Sequence, residues 1–410
     1  MRKILAYGFL MIFMIGIICV GAFAVVTFEQ AIPDQMYVTI GSEISYDFGL
    51  PVSVVLKEEE AEVFENISDT VAGISSEKPA AYTVVCKLFG IIPVKEVEVT
   101  LTEADAVYTG GTPIGIYLET DGILIIGTGN VTDTSGSEQK PAEYLVKAGD
   151  YIESVNGETV TTKEELITKI NKYGEEKEIL GIRRADQKIE VTVEPVYTES
   201  GDYKLGIWVR DDLAGVGTLT YYTSDGEYGA LGHGVSDADT GTAMELSEGK
   251  IYETQIIGIN KGVEGTPGEL SGVIHYGAHS YLGTIDWNRN VGIHGTLDGN
   301  LGILGESSCL EVAYKQDIEY GKAYIISGIS GENEEYEIEI EEVNFDKSVE
   351  NKGILFQVTD EKLLELTGGI VQGMSGSPIV QNGKIIGAVT HVFINDPTKG
   401  YGIFIENMLQ

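Results

Sequence analysis

Short apolar runs recur along most of this chain, separated by glycine and by Asp, Asn and Ser turns, and few of them have helical spacing. From about Tyr203 onward they fall at 205–209, 217–222, 251–259, 291–297, 301–304, 323–329, 336–343, 354–358, 378–380 and 384–392. Many short strands with regular turns predict a barrel or a pair of barrels. The one helical hint there is 360–366, where Leu363, Leu364 and Leu366 follow an Asp cap at Asp360.

The block 106–196 has a different grammar. A glycine-containing loop, Gly110-Gly111-Thr112-Pro113, leads into the apolar Ile114-Gly115-Ile116-Tyr117-Leu118, and a second apolar run follows at 123–126. Gly149-Asp150-Tyr151-Ile152-Glu153-Ser154-Val155-Asn156-Gly157 reads as a strand closed by an Asn-Gly turn. Thr162 and Glu165 form a capping box, and Leu166, Ile167 and Ile170 give a short helix its apolar face. A hairpin over Ala185-Asp186-Gln187 ends the block. Ahead of it, 34–105 reads as a small β-rich region, with Val97, Val99 and Leu101 alternating with polar residues.

The N-terminus carries Arg2 and Lys3 before an uncharged apolar run at 4–26. A bilayer span needs about 20 such residues, and basic residues before the run place the remainder of the chain outside the cytoplasm. Ala22-Phe23-Ala24 offers a signal-peptidase site, but a cleaved signal has a shorter apolar core. An uncleaved anchor is the favoured expectation for 1–33.

With 410 residues and 43% hydrophobic content the chain can bury two or three cores, and 52 glycines fit β structure. The formal charge of −37 argues against nucleic acid as a partner. Cys19, Cys86 and Cys309 make neither a disulfide framework nor a metal cluster.

Candidate chemistry lies in two glycine-lined stretches. In Gly373-Met374-Ser375-Gly376-Ser377-Pro378, glycines flank a serine and an apolar run follows. A serine nucleophile needs a base, a rigid turn and N–H donors for the oxyanion, and glycines permit such a turn. Far upstream, Gly232-His233-Gly234 sets an imidazole in an equally open backbone, which suits a general base. His275 and His279 are four apart, but Gly272 and Gly277 argue against a helix and no third ligand follows, so no metal is expected. His294 and His391 sit in strand-like runs and read as core or edge residues. For the group that orients the base, Asp237, Asp286, Asp317, Asp346 and Asp360 remain open. The chain order histidine then serine is that of chymotrypsin-like barrels, not of α/β-hydrolases.

Two resemblances sharpen this reading. The block 106–196, with Lys147-Ala148-Gly149-Asp150 and Asn156-Gly157, resembles a bacterial PDZ domain. That resemblance implies that N–H groups of Ile114, Gly115 and Ile116 receive a peptide C-terminus, or a segment of the protein's own chain, as an added strand. The apolar N-terminus, this domain, Gly217-Thr218-Leu219-Thr220, Leu231-Gly232-His233-Gly234 and the run from Gly368 to Pro378 together resemble the stage IV sporulation protein B peptidases. The resemblance implies a mainly β chain: a transmembrane segment, a PDZ domain, then a chymotrypsin-like serine peptidase domain over 197–410. It implies a triad of Ser375, His233 and Asp360, with Gly373 and Ser375 N–H groups as the oxyanion site and no cofactor. It further implies a peptidase in the space between forespore and mother cell. There it would cut itself and a regulatory membrane protein that controls an intramembrane metalloprotease, and so activate the late mother-cell sigma factor. Asp360 lies only fifteen residues (375 − 360) before Ser375, closer than such an acid usually lies, and a helix cap is its alternative role. Two rival readings are an inactive barrel serving a binding module, and a broad quality-control protease, whose domain order is usually the reverse.

Overall fold

A computed structural model describes residues 11, 14–16, 29–40, 52–57, 80–241, 243–298 and 307–409. Almost all of the apolar run at 4–26, and the run at 301–304, lie outside these residues. Among the described residues no helix is long and apolar enough to cross a membrane.

The first unit is a four-stranded sheet of β1 (Gln35–Thr39), β2 (Val52–Leu56), β3 (Ala80–Leu88) and β4 (Ile92–Thr102), in the order β1-β4-β3-β2. Val97, Val99 and Leu101 turn inward, as their alternation requires.

The strand β5 (Pro113–Thr128) then serves two units at once. Its second half joins β6 (Tyr151–Val155), the helix α1 (Lys163–Tyr173), β7 (Glu178–Arg184) and β8 (Gln187–Val193). Ile123, Ile152, Leu166, Ile170, Leu180 and Ile182 form the core of this unit. Thr162 caps α1 by accepting from the Glu165 N–H at 3.2 Å, as its sequence signature predicts. Ile167, expected on the buried face of α1, is 55% exposed.

The first half of β5 belongs to a barrel. It pairs with β9 (Ile207–Tyr222), which is followed by β10 (Glu227–Ala230), β11 (Leu246–Asn260), β12 (Tyr281–Arg289) and β13 (Gly292–Leu297). The pairings run β5-β9-β10-β13-β12-β11, and β11 returns to β5, closing a ring of six strands. A second closed barrel follows: β14 (Gly321–Ser327), β15 (Glu334–Val343), β16 (Ile354–Val358), β17 (Pro378–Gln381), β18 (Lys384–Phe393) and β19 (Asp396–Phe404). Its ring order is β14-β15-β16-β19-β18-β17, the same winding of first to sixth strand as in the first barrel. Tyr336, Ile338 and Ile340 face its core while Glu337 and Glu339 face out. The helix α2 (Glu361–Thr367) sits between the third and fourth strands.

These pairings redraw the boundary expected at 196/197. The unit with α1 is inserted between the first two strands of the first barrel, and β5 and β9 run through both.

Candidate active site

The serine loop precedes β17, the fourth strand of the second barrel. Gly373 and Gly376 have φ of 100° and 95°, left-handed values that glycine adopts without strain. Met374, Gly376 and Ser377 donate the backbone bonds of this loop, to Val371, Val389 and Met374 carbonyls, and Gly373 and Ser375 donate none of them. The loop is also tied to the first barrel. The Thr218 N–H donates to the Ser375 carbonyl at 3.0 Å, and the Thr218 hydroxyl to the Gly373 carbonyl at 2.8 Å. Ser375 is half-buried and Ser377 is 0% exposed, with a hydroxyl that has no partner. Of the two serines in the motif, only Ser375 meets solvent.

His233 follows β10, the third strand of the first barrel. Leu231 and Gly232 are both left-handed, with φ of 71° and 70°, and they throw the imidazole across the seam between the barrels. The Leu231 N–H reaches the Thr218 carbonyl at 3.3 Å, so one residue, Thr218, touches both the histidine turn and the serine loop. The Gly234 carbonyl accepts from His233 Nδ1 at 2.9 Å. A carbonyl only accepts, so the proton sits on Nδ1 and the lone pair on Nε2. Burial holds this imidazole below its ordinary value, against the smaller raising effect of the Gly234 carbonyl.

The two candidate groups meet at the end of β18. The Ser375 hydroxyl donates to the Thr390 carbonyl at 2.8 Å. The next residue, His391, has its ring 5.3 Å from that of His233, tilted by 44°. A Cβ on Gly232 would press on the Thr390 methyl group. His391 was expected to be a core or edge residue. It lies part-buried in β18, a strand of the second barrel.

Asp360 does not join them. It is the N-cap of α2, accepting from the Leu363 N–H at 2.9 Å and the Glu337 N–H at 3.4 Å. Among the described residues no carboxylate is hydrogen-bonded to His233. Asp237, the nearest candidate in sequence, is fully buried and pairs with Arg210. In this structure the Asp360 carboxylate therefore serves as a cap, the alternative role the sequence offered for it. Asn caps as well as Asp, so Asp360→Asn is expected to keep turnover within about twofold, whereas Asp360→Ala loses about 1 kcal/mol of stability by denaturant titration.

The expected peptide loop is corrected. Ile114, Gly115 and Ile116 stand mid-strand in β5, opposite Gly217, Val216 and Gly215 of β9 on one side and Glu253, Tyr252 and Ile251 of β11 on the other. Backbone paired on both edges has nothing left for a peptide terminus. The edge of β5 beside α1 lies further on, at 124–128, and it is filled: Ile207, Trp208, Val209 and Arg210 of β9 pair with Thr128, Gly127, Ile125 and Leu124. Along α1, the Tyr203 N–H donates to the Asn171 side chain at 2.9 Å. At the other end the Asp211 carboxylate accepts from the Lys163 N–H at 2.7 Å and its ammonium at 3.0 Å, so a carboxylate sits at the helix N-terminus. Arg210 then bonds Asp237 and Asp239, just beyond the His233 turn.

A serine hydroxyl and a histidine converging at the seam of two barrels make a site of the kind hydrolases use. Residues 201–409 match the family described as SpoIVB peptidase S55, and the chain belongs to that family; it is a peptidase. The matched range begins after the inserted unit and leaves out β5, which the first barrel needs to close. Among solved structures, the PDZ domain of an SdrC-like protein from Listeria monocytogenes is similar at 18% identity, over 22% of this chain and 87% of that one, with a TM-score of 0.18. No curated protein matches the chain.

Proposed function

We propose that the chain is a serine endopeptidase of chymotrypsin-like architecture, with Ser375 as nucleophile and His233 as general base. The observation that carries this reading is the convergence of both side chains on Thr390 and His391 at the end of β18. Attack requires the Ser375 hydroxyl to leave the Thr390 carbonyl and reach the free Nε2 of His233. The Gly234 carbonyl fixes the tautomer that makes Nε2 the base. The N–H groups of Gly373 and Ser375, unused by the loop, then hold the oxyanion. Following the family, the enzyme works outside the cytoplasmic membrane, held by the apolar run at 4–26. There it cuts itself and a regulatory membrane protein that restrains an intramembrane metalloprotease. A fluorophosphonate probe tests the chemistry: mass spectrometry is expected to find the phosphonyl group on Ser375. Labelling of another residue, or none, removes the reading.

The inserted unit is, in this proposal, the PDZ domain of the sequence reading, with its groove occupied by the protein's own segment 203–211. Strand addition is how such domains bind, and here the added strand is covalently attached. Peptides with a free apolar C-terminus are therefore expected to show no heat of binding to the full chain by calorimetry, in acid or amide form alike. Strong binding of the acid form alone would show that the groove is open.

A further inference from the structure

We propose that the hairpin tip joining β3 to β4 enters the lipid bilayer from which the chain emerges. The inference rests on the reading of the apolar run at 4–26 as a membrane anchor. Its grounds are the tip itself and the way the chain enters this sheet. Phe89, Ile91 and Ile92 stand 68%, 80% and 49% exposed, next to an exposed Pro93, while Leu88 turns into the core. The Ile91 N–H closes the turn on the Leu88 carbonyl at 3.1 Å. Its two central residues, Phe89 and Gly90, have φ of 52° and 72°. Turns of that hand favour Asn-Gly, and positive φ is unusual for a bulky side chain. A phenylalanine there is disfavoured by backbone and by water alike, so the sheet alone does not account for it.

Topology sets the tip beside the end of the apolar run. β1 runs parallel to β4, with Gln35 opposite Glu98. β4 runs away from the tip, so the segment before β1 arrives from the tip's end of the sheet. Lys95 holds that segment. Its ammonium donates to the carbonyls of Glu29 and Ile32 at 3.0 and 2.6 Å and pairs with Asp34 at 2.7 Å. Lys95 lies three residues (95 − 92) past Ile92, about 10 Å along a strand. Glu29 lies three residues (29 − 26) past Val26, at most about 10 Å of chain. The occupant is lipid for two further reasons. From Lys78 to Lys95 the sequence holds no Asp or Glu and includes Lys87 beside the turn, in a chain with 64 acidic residues. Lysines flanking an apolar tip lay their stems along it and reach anionic headgroups. Three apolar side chains on a projecting turn also offer far less than the roughly 800 Å² per partner of a stable protein interface. In lipid, the same side chains strengthen attachment in proportion to the area they bury.

The full chain in vesicles of phosphatidylcholine and phosphatidylglycerol tests this. Phe89→Trp puts an indole at the tip, and bromine atoms on the acyl chains quench an indole that touches them. The parent, with Trp208 and Trp287, sets the baseline. Tyr144→Trp, at a position 92% exposed in the inserted unit, is the control in water. The emission added by Phe89→Trp is expected to shift to shorter wavelength and to be lost in brominated vesicles, most with bromine near the headgroup. That added by Tyr144→Trp is expected to do neither. Adding Ile91→Asp to Phe89→Trp should abolish the quenching, because a carboxylate opposes entry into lipid. Should Phe89→Trp not fold by circular dichroism, Ile91→Trp replaces it. Emission no more quenched than the parent's, in vesicles that carry the chain, overturns the proposal. A shift to shorter wavelength without quenching overturns it too, and sets the tip against protein. A chain that does not float with the vesicles is a different result: it removes the anchor reading, and the tip proposal with it.

Discussion

Replacing Ser375 with alanine is expected to remove peptide cleavage, lowering kcat by on the order of 10⁶-fold, with the fold unchanged. The hydroxyl makes one bond, to the Thr390 carbonyl, and is half-buried, so its loss leaves no cavity worth the name. Residual turnover would come from the oxyanion donors and from substrate binding alone. His233→Ala should cost nearly as much, and the double variant little more than either, because the two groups act as a unit. Ser377→Ala is the control. Its hydroxyl is fully buried and unpartnered, so removing it relieves an unsatisfied polar group and touches no chemistry. Cleavage of a fluorogenic peptide and self-cleavage on gels both report the result. Activity that survives Ser375→Ala and dies in Ser377→Ala would move the nucleophile by two residues.

What the sequence made legible was local. Alternation in Val97-Glu98-Val99 and in Tyr336-Glu337-Ile338 shows directly which face of a strand meets the core. The turns around His233 and Ser375 were visible because glycine marks backbone that other residues avoid, and both positions are left-handed turns in the fold. What stayed hidden was pairing across distance. The apolar residues of β5, from Ile114 to Ile126, suggest two successive strands of one unit. Nothing local shows that the first half closes a barrel with β11, more than a hundred residues on. The same blindness put Ile114, Gly115 and Ile116 in a peptide site, although the strand that fills the groove, β9, lay in the next block. Asp360 was ambiguous for a different reason. An aspartate ahead of a leucine-rich turn satisfies the pattern of a cap and that of a catalytic acid equally, and in the structure its bonds to Leu363 and Glu337 are those of a cap. His391 reads as one more residue of an apolar strand until the ring order of the second barrel brings the end of β18 beside the serine loop.

The second large effect is expected at Gly376, where a single added methyl group should separate chemistry from folding. Gly376 lies at the point where three segments touch: the serine loop, β9 at Thr218, and the His233 turn at Leu231. A Cβ there would overlap the Thr218 carbonyl oxygen and the Leu231 nitrogen, which are backbone atoms and cannot swing aside. Its φ of 95° adds strain for any L-residue. Gly376→Ala must therefore push the serine loop away from the first barrel, opening the 3.0 Å bond from Thr218 to the Ser375 carbonyl. A misplacement of about 1 Å between reacting groups costs on the order of 10²-fold in rate, and a loss of that size or greater in kcat is expected. The two rings of strands themselves should survive. Gly383→Ala provides the comparison. Its φ is 75°, yet nothing lies within 4 Å of the new Cβ, so it carries backbone strain without collision. That change should lower stability by about 1–2 kcal/mol and leave turnover intact. Measured side by side by thermal melting and peptide cleavage, the two glycines tell strain from displacement. Parental turnover in Gly376→Ala would mean that the contact between the barrels does not set the distance from base to nucleophile.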